Sequence, residues 1–392
     1  MNNTLLNRLA LALDTAEKNG TYKHLKAIEG PIGAHIRMAG NSDISLLSSN
    51  DYLGLANHPQ VVEAARVALL EYGASTASVR FICGTQDIHL KLEQALADFH
   101  GTQSSLTYSS CWAANTGLFA AICGAGDVIL SDALNHASLI DGIRATGKGV
   151  VRKVYAHSDM AALEALLQEH EVAPSRLIVT DGVFSMEGDI ARLDKITELA
   201  AKYDALVVLD DSHGLGVLGG TGRGVAEQYG VMDKIDIFTG TLGKALGAGT
   251  GGFVAGPEVV TETLIQRSRP HLFSNALPPS VAAAGCKSLQ LLDDHPQWVT
   301  DLQAKSAWFR AYLSDLGLNP LSGDSAIVPV IVGQTATAIA IAEKMLKDGF
   351  FVTGFGFPVV PEGEARLRFQ VSQTHTQDQL AAAAYCLKKH LA

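Results

Sequence analysis

The sequence lacks the patterns that mark secretion, membrane insertion or structural metal binding. Its five cysteines are scattered, with neither the paired spacing of a zinc site nor an even-numbered disulfide framework, which favours a reducing cytoplasm. No apolar run approaches the length of a membrane span, and the first residues lack the charged and apolar regions of a secretion signal. We therefore expect a cytoplasmic protein with no membrane association and no metal site.

An excess of positive charge and the common nucleotide-binding motifs are also missing. The formal net charge of −10 gives no general electrostatic reason to bind nucleic acid, so an anionic ligand requires a local site. The chain contains no G-x-x-x-x-G-K-[ST] run, and it has no G-x-G-x-x-G run of the dinucleotide-binding type, which joins a strand directly to a helix. These absences argue against a P-loop protein and against a nicotinamide-dependent oxidoreductase.

The chain does contain an alternation of short β-rich apolar runs with segments of helical period. Apolar residues make up 47% and charged residues 18% of the 392 residues, which is typical of a compact folded protein. Strands that alternate with helices predict an α/β fold with a mainly parallel sheet. The predicted strands of this sheet are 105–108, 128–131, 176–181, 206–210, 235–239 and 252–255.

The alternation of short strands with helical segments changes after about residue 285. Two long helical segments, near 296–316 and 336–348, enclose a strand-like run at 326–332, and a strand at 366–371 precedes a final helix. This pattern predicts a separate small α+β domain. The expected organisation is an N-terminal helix and arm over 1–50, a large domain over 51–285 and a small C-terminal domain over 286–392.

Lys244 is the residue that most strongly indicates chemistry. It follows the predicted strand 235–239, and the ligands of open α/β sheets gather at the carboxyl ends of strands. Small residues such as Gly243 and Gly247 would let a bulky ring approach the backbone. Most lysines are surface charges, but an amine in this setting suits the Schiff base that pyridoxal phosphate requires.

Polar residues also follow other predicted strands of the sheet. Asp210 ends one strand and His213 lies three residues beyond it. A carboxylate there can pair with a protonated pyridine nitrogen and keep the ring an electron sink. Metal binding by this pair ranks lower, because no further ligands cluster at suitable spacing. His136 and Ser185 follow two more strands, and an imidazole at position 136 can stack on an electron-poor ring.

A phosphate site and a carboxylate site complete the candidates. Ser110, Cys111 and Trp112 lie where a strand ends and a helix begins, so their amides can face an anion, with the Thr241 hydroxyl nearby.

Arg366 and Arg368 lie on one face of the predicted strand 366–371, because side chains alternate along a strand. One of these guanidinium groups can hold the carboxylate of an amino acid substrate. Two exposed charges on an edge strand are an equally good interpretation of the same pattern.

Together these residues make the chain resemble the fold-type I pyridoxal-phosphate enzymes and, among them, the α-oxoamine synthase family. The resemblance extends from the run 49–55 to the run 366–368. The blocks 77–87 and 267–275 are most similar to the 2-amino-3-ketobutyrate CoA ligase (glycine C-acetyltransferase) branch, whereas Gly214 is shared with the 8-amino-7-oxononanoate synthase branch. The resemblance implies a large domain with a mainly parallel seven-stranded sheet, a small C-terminal α+β domain and a homodimer with shared active sites.

The resemblance also implies a pyridoxal 5′-phosphate cofactor and roles around its ring. Lys244 would carry the Schiff base and act as acid and base at the substrate Cα. Asp210 would pair with the pyridine nitrogen and His136 would stack on the ring. His213 would hydrogen-bond the phenolic oxygen of the ring, with Ser185 near it.

The remaining implied roles concern the cofactor phosphate and the substrates. Ser110, Cys111, Trp112 and Thr241 would hold the phosphate, and Ser274 would reach it from the partner subunit. Asn50 and Arg368 would hold the substrate carboxylate, and Ser78 would lie near the substrates.

The implied reaction joins a small amino acid, with glycine favoured, to a short acyl-CoA, with acetyl-CoA favoured. Its product would be a 2-amino-3-oxo acid or an α-amino ketone, with free CoA. A decarboxylating enzyme similar to 8-amino-7-oxononanoate synthase, using another amino acid or a longer acyl-CoA, is the alternative, and Ser75, where the ligase branch has glycine, keeps both open. An aminotransferase, a lyase and a catalytically silent protein of the same fold are further alternatives.

Overall fold

The computed structural model describes residues 3–38 and 40–391, and it confirms an α/β protein whose largest sheet has seven strands. The strands are β1 (His35–Met38), β2 (Asn41–Leu46), β3 (Ser104–Tyr108), β4 (Val128–Asp132), β5 (Val151–Tyr155), β6 (Arg176–Asp181), β7 (Leu206–Asp210), β8 (Ile237–Thr241), β9 (Gly252–Gly256), β10 (Ile327–Gly333), β11 (Phe350–Phe351), β12 (Thr353–Phe355) and β13 (Ala365–Gln370). The helices are α1 (Thr4–Lys18), α2 (Pro59–Tyr72), α3 (Asp87–His100), α4 (Cys111–Ile122), α5 (Ala137–Arg144), α6 (Met160–Glu169), α7 (Leu193–Lys202), α8 (Val225–Gln228), α9 (Glu258–Arg267), α10 (Arg269–Phe273), α11 (Pro279–Asp294), α12 (Gln297–Asp315), α13 (Thr335–Lys347) and α14 (Gln377–Leu391).

The larger of two compact units comprises residues 50–185 and 189–304 and contains the seven-stranded sheet. The strand order is β3-β9-β8-β7-β6-β4-β5, and all neighbours pair in parallel except β9, which is antiparallel to both β3 and β8. Strands β4, β6 and β9 are buried along their whole length. Strands covered on both faces need continuous apolar sequence, which explains why these runs are easy to recognise.

The parallel strands of this sheet bring polar residues to one edge. β4 ends at Asp132, β6 at Asp181, β7 at Asp210 and β8 at Thr241. Neighbouring parallel strands point the same way, so their carboxyl ends meet at a common edge of the sheet. The fold therefore collects these four residues, and the loops that follow them, at one place.

The smaller unit comprises residues 1–49, 186–188 and 305–392 and contains two three-stranded sheets. One has the order β1-β2-β11 and the other β10-β13-β12, with β13 antiparallel to both its neighbours. All of β13 is buried. Segment 186–188 is joined to this unit by a hydrogen bond of 2.7 Å from the Ser325 hydroxyl to the Gly188 carbonyl.

The structure differs from the sequence-based expectation at a few boundaries. β8 begins at Ile237 rather than 235, because Met232–Lys234 forms a 3₁₀ turn and the Asp236 carboxylate accepts the Val207 N–H at 2.7 Å. β5, α9 and α11 were not predicted. The two units divide after Ala304 rather than after residue 285, since α11 packs on α2 and α3. In the ranges 3–38 and 40–391, no helix combines the length and apolarity needed to cross a bilayer.

Candidate active site

A cavity of about 220 Å³ lies at the polar edge of the seven-stranded sheet. Its walls contain every residue that the sequence assigned to the cofactor, apart from Ser274. The lining residues are Ser110, Cys111, Trp112, His136, Ser138, Asp181, Val183, Ser185, Asp210, Ser212, His213, Thr241 and Lys244.

Asp210 is held in one orientation by neighbours on both of its carboxylate oxygens. Its Oδ2 accepts the Asn115 side-chain amide at 2.6 Å and the Cys111 thiol at 3.6 Å, and its Oδ1 accepts the Ser212 N–H at 3.0 Å. The residue is 4% exposed. A buried carboxylate in a fixed position at the end of β7 is suited to pair with one cationic N–H of a ligand.

Lys244 lies in the loop between β8 and β9, which is closed by main-chain hydrogen bonds. The Leu242 N–H donates to the Gly251 carbonyl at 3.0 Å, and the Gly247 N–H donates to the Lys244 carbonyl at 2.9 Å. Gly247 has a φ of +62°, and a Cβ there would meet the Ala56 nitrogen at 2.4 Å. Glycine is therefore required at position 247, and its tight packing fixes the turn that carries the amine of Lys244.

His136 is oriented by its own helix. It is the N-cap of α5: its Nδ1 accepts the Ser138 N–H at 3.2 Å and lies 2.8 Å from the Ser138 hydroxyl. Its main-chain N–H donates to Asp181 Oδ2 at 2.8 Å. Burial lowers the pKa of His136, although the Asp210 charge acts in the opposite direction. The imidazole of His136 is fixed in this way where it lines the cavity.

A second carboxyl group, that of Asp181, also lines the cavity. Burial, followed by the nearby Asp210 charge, raises the pKa of Asp181 well above its usual value, while the Lys244 charge acts to lower it. Burial and the Asp210 charge also raise the pKa of the Cys111 thiol. Burial therefore favours the protonated form of the Asp181 carboxyl group and of the Cys111 thiol.

His213 is fixed by a residue that the sequence reasoning missed. The Tyr52 hydroxyl lies 2.8 Å from His213 Nδ1, and the Tyr52 side chain is fully buried. The two residues are 161 positions apart, and no local pattern links them. Because this contact is made by Nδ1, the Nε2 atom of His213 lies on the edge of the ring that faces away from the Tyr52 hydroxyl.

The N-terminus of α4 forms the opposite wall. Ser110 is its N-cap: its hydroxyl accepts the Ala113 N–H at 3.1 Å and its carbonyl accepts the Ala114 N–H at 3.1 Å. The amides of Cys111 and Trp112 in the same turn have no carbonyl of their own helix within reach. They are the natural donors to an anion placed at this helix end.

Thr241 and Gly252 support that wall. The Thr241 hydroxyl donates to the Gly251 carbonyl at 3.1 Å and accepts the Gly243 N–H at 3.1 Å. A Cβ on Gly252 would lie 2.3 Å from the Cys111 nitrogen. Glycine at the start of β9 thus allows the helix end to approach the sheet closely.

Four predicted site residues do not line this cavity, namely Asn50, Ser78, Ser274 and Arg368. Ser78 and Ser274 lie on adjacent loops of the larger unit, where the Ala276 N–H donates to the Ser78 carbonyl at 3.0 Å.

The two arginines of β13 in the smaller unit have different surroundings. The Arg366 Nη1 donates to the Met186 carbonyl and pairs with Glu187, both at 3.1 Å. The guanidinium carbon of Arg368 lies 4.4 Å from the centre of the Phe355 ring. Arg366 therefore has a structural role, whereas Arg368 stays the candidate for a substrate clamp.

Asn115 is a further residue that sequence reasoning missed, and a signal for it exists. It lies four residues after Cys111 in α4, hence on the same face of the helix, and it donates to both Asp210 and Ser138. A search for polar side chains one turn after the phosphate-site residues would have found it.

Comparison with known proteins gives a consistent result. The family described as Aminotransferase class I and II matches residues 42–386. A 2-amino-3-ketobutyrate coenzyme A ligase of Salmonella typhimurium is 48% identical over 95% of this chain and 93% of its own. An 8-amino-7-oxononanoate synthase of Exiguobacterium sibiricum is 42% identical over 97% of both chains. A serine palmitoyltransferase structure from S. paucimobilis, with a bound PLP–myriocin aldimine, superposes with a TM-score of 0.91 at 29% identity, over 100% of this chain and 98% of that one.

Proposed function

Since the chain belongs to the class I and II aminotransferase family, we propose that it is a pyridoxal phosphate-dependent acyltransferase that joins glycine to a short acyl-CoA, with acetyl-CoA favoured. The observation that carries this proposal is the gathering of Lys244, Asp210 and His136 around one cavity. The products are 2-amino-3-oxobutanoate, when the acyl group is acetyl, and free CoA.

The cavity fits pyridoxal 5′-phosphate at each of its polar parts. Asp210 is held where it can accept a ring N–H, and the first turn of α4 offers amides to a phosphate. Cys111, Trp112 and Thr241 would hold that phosphate. When bound, the cofactor forms a reversible carbon–nitrogen double bond with an amine and withdraws electrons from the Cα of the amino acid.

The residues of the chain supply the proton transfers and the orientation. Lys244 would hold the cofactor through its amine, and the same amine is placed to take the Cα proton of glycine. Asp210 would keep a proton on the ring nitrogen, because a buried carboxylate strongly favours a cationic partner. His136 would cover one ring face, and His213, aligned by Tyr52, would hold the ring oxygen together with Ser185. The new bond joins Cα to the acyl carbon as the thioester C–S bond breaks.

We assign the substrate carboxylate to Arg368 and Asn50. The guanidinium group of Arg368 lies over the Phe355 ring, whereas that of Arg366 pairs with Glu187 and donates to the Met186 carbonyl. An arginine fork matches a carboxylate with two parallel hydrogen bonds.

The active protein is a homodimer with shared active sites in this proposal. Ser78 and Ser274 lie on adjoining loops and do not line the cavity of their own chain. Large apolar side chains beside them are exposed: Phe81 by 60%, Ile82 by 69% and Phe273 by 68%. In a dimer that covers these side chains, Ser78 and Ser274 of one copy would lie beside the cavity of the other copy.

A decarboxylating synthase is the second candidate. It is favoured by the 42% identity to an 8-amino-7-oxononanoate synthase over 97% of both chains. This enzyme would use a different amino acid, or a longer acyl-CoA, and would release CO₂.

A CoA-release assay tests the proposal and separates the two candidates. Purified holoenzyme is given glycine or alanine with acyl-CoA of increasing chain length, and both CoA thiol and CO₂ are measured. We expect the highest kcat/KM for glycine with acetyl-CoA, with CO₂ appearing only after a lag as the β-keto acid product decarboxylates in solution. Release of CO₂ in step with CoA from the first turnovers would support the second candidate, and transamination of keto acids without CoA release would contradict both. Lys244→Ala is the inactive control.

A further inference from the structure

Away from the cavity, three side chains with metal-binding chemistry meet within the smaller unit. Cys386 and His390 lie four residues apart in α14, hence on one face of that helix. Asp348 is the C-cap of α13. The cysteine spacing along the chain did not reveal this group, because its other two members are a histidine and an aspartate.

The distances between the three potential ligand atoms are close to those of a metal centre. His390 Nε2 lies 3.0 Å and Cys386 Sγ lies 3.7 Å from the same Asp348 oxygen, and all three atoms lie within 4.8 Å of one another. A tetrahedral zinc ion with bonds of about 2.0–2.3 Å holds its ligand atoms roughly 3.3–3.7 Å apart. Small side-chain rotations therefore bring the three atoms around one ion.

Burial and charge of the group fit a cation that enters from solvent. Cys386 is 8% exposed, while the side chains of His390 and Asp348 are 14% and 36% exposed. The thiol thus lies at the bottom and the carboxylate at the mouth. A thiolate and a carboxylate together neutralise a divalent ion, with the Cys386 proton released to solvent, and the open side leaves room for a water ligand.

A lysine already pairs with the carboxylate of this group. Lys389 Nζ lies 3.0 Å from the Asp348 oxygen that the other two residues share, and its side chain is 69% exposed. An exposed ammonium group can turn away into solvent at little cost. The carboxylate is therefore already positioned to hold a positive charge.

We propose that Asp348, Cys386 and His390 form a binding site for a borderline-soft divalent transition metal, of which zinc is the type. The mixed sulfur, nitrogen and oxygen ligands favour zinc or cobalt over magnesium and calcium, which prefer all-oxygen sites. The bound ion ties the end of α14 to the end of α13. The site is independent of the function proposed above.

Cobalt absorption tests the site directly. Holoenzyme freed of metals with a chelator is titrated with Co²⁺, which gives a near-ultraviolet charge-transfer band when a thiolate binds it. We expect the band to saturate at one Co²⁺ per chain and to disappear when Zn²⁺ is added. Cys386→Ser should abolish it, whereas Cys83→Ser, which changes an exposed cysteine, should leave it unchanged. Failure of the band to form in the wild-type protein, or its persistence in Cys386→Ser, would overturn the proposal.

Two further variants keep the test decisive if Cys386→Ser folds poorly. His390→Gln should weaken Co²⁺ binding by at least about tenfold, the lower range for loss of a residue that supports a metal site. Lys389→Gln should tighten binding severalfold, because it removes the competing cation. At the same concentration, Zn²⁺ should raise the Tm of the wild-type protein and of Lys389→Gln by more than that of His390→Gln. Weaker binding by Lys389→Gln would contradict the geometry.

Discussion

The polar edge of the seven-stranded sheet and the buried strand β13 both carry charged groups, but their roles are set in different ways. At the sheet edge, β4, β6 and β7 each end in an aspartate, and the parallel topology brings all three ends together. In β13, Arg366 and Arg368 share one face of a single strand. Arg366 nevertheless pairs with Glu187, whereas the guanidinium group of Arg368 lies over the Phe355 ring.

The two regions differ in how far the local sequence determines the position and role of a polar residue. The carboxyl ends of parallel strands meet wherever the helices and strands alternate, so a polar residue at a strand end is placed by topology alone. A residue on an antiparallel strand takes its role from partners that arrive from distant segments. Glu187 reaches Arg366 across 179 positions of the chain.

The largest expected effect comes from removing the amine at the sheet edge. Lys244→Ala should lower kcat by at least about 10⁴-fold, because it removes the acid and base at the substrate Cα. The yellow colour that borohydride bleaches in the wild-type holoenzyme should be lost with it. Mass spectrometry of the reduced wild-type protein should place the label on Lys244. A variant with near-normal turnover would remove Lys244 from the catalytic site.

A second prediction compares two adjacent aspartates. Asp210 faces the cavity, whereas the Asp211 Oδ2 accepts the Val225 N–H at 2.8 Å. Asp210→Asn should lower kcat by about 10³-fold, since a neutral amide cannot hold the ring proton. Asp211→Asn, the matched control, should change kcat severalfold at most. Stopped-flow kinetics at saturating substrate measure both, and equal losses would show that the pair acts through folding.

Asp211 should act on stability instead. A Cβ on Gly214 or Gly224 would lie 2.0 Å or 1.8 Å from its carboxylate oxygens, so glycines enclose the group. Burial raises the pKa of Asp211 to about 7. The carboxyl group is therefore easiest to bury when protonated, and its contribution to the free energy of unfolding should fall as the pH rises from about 4 to about 7.

Most strands of the larger unit could be predicted from the sequence because each of these has a recognisable local pattern of apolar residues. β4 and β6 are buried on both faces, as is β7 after its exposed first residue Leu206, and all three form continuous apolar runs in the sequence. β5 was missed because its positions alternate between half-buried and exposed until the buried Tyr155, with Arg152 and Lys153 near its centre. An edge strand of this kind has the composition of a loop.

Several other contacts in the molecule join segments that are distant in the sequence, so no local pattern predicts them. Tyr52 reaches His213 from 161 positions away, and the engagement of Arg366 depends on segment 186–188. The pairing of Asp348 with Cys386 and His390 likewise joins two helices of the smaller unit. In each case the residue types were visible in the sequence, but the partner was set by packing.

A third prediction separates the two arginines of β13. Arg366→Met should lower the free energy of unfolding by about 3 kcal/mol, because it removes the buried cation that pairs with Glu187 and donates to the Met186 carbonyl. Arg368→Met, the matched variant on the same face, should raise the KM for glycine, whereas Arg366→Met should leave that KM unchanged. Urea denaturation and initial-rate kinetics measure the two effects. A reversed pattern would move the carboxylate clamp from Arg368 to Arg366.

The smallest expected effect lies at the outer end of the same sheet edge, where His157 bridges two carboxylates. Its Nδ1 lies 3.0 Å from Asp132 and its Nε2 lies 2.9 Å from Asp189. Burial acts to lower the pKa of His157, but the hydrogen bonds to the two carboxylates prevail and raise it to about 10. Because the pKa is higher in the folded state than the ordinary 6.5, the stabilisation is complete below about pH 6.5 and is lost as the pH rises through about 10.

His157→Gln should therefore lower the free energy of unfolding by about 2 kcal/mol at pH 6, after allowance for the partial exposure of the side chain. The difference from the wild-type protein should shrink steadily toward pH 10, because the neutral imidazole loses its attraction to Asp132 and Asp189. Lys153→Gln on β5, which removes an exposed ion pair with Glu169, should give a small difference that is constant over this range. Urea denaturation at pH 6, 8 and 10 measures both variants. A His157→Gln difference that grew with pH would mean that the bridge is held by a neutral histidine, and the sheet edge would then owe its order to hydrogen bonding rather than to charge.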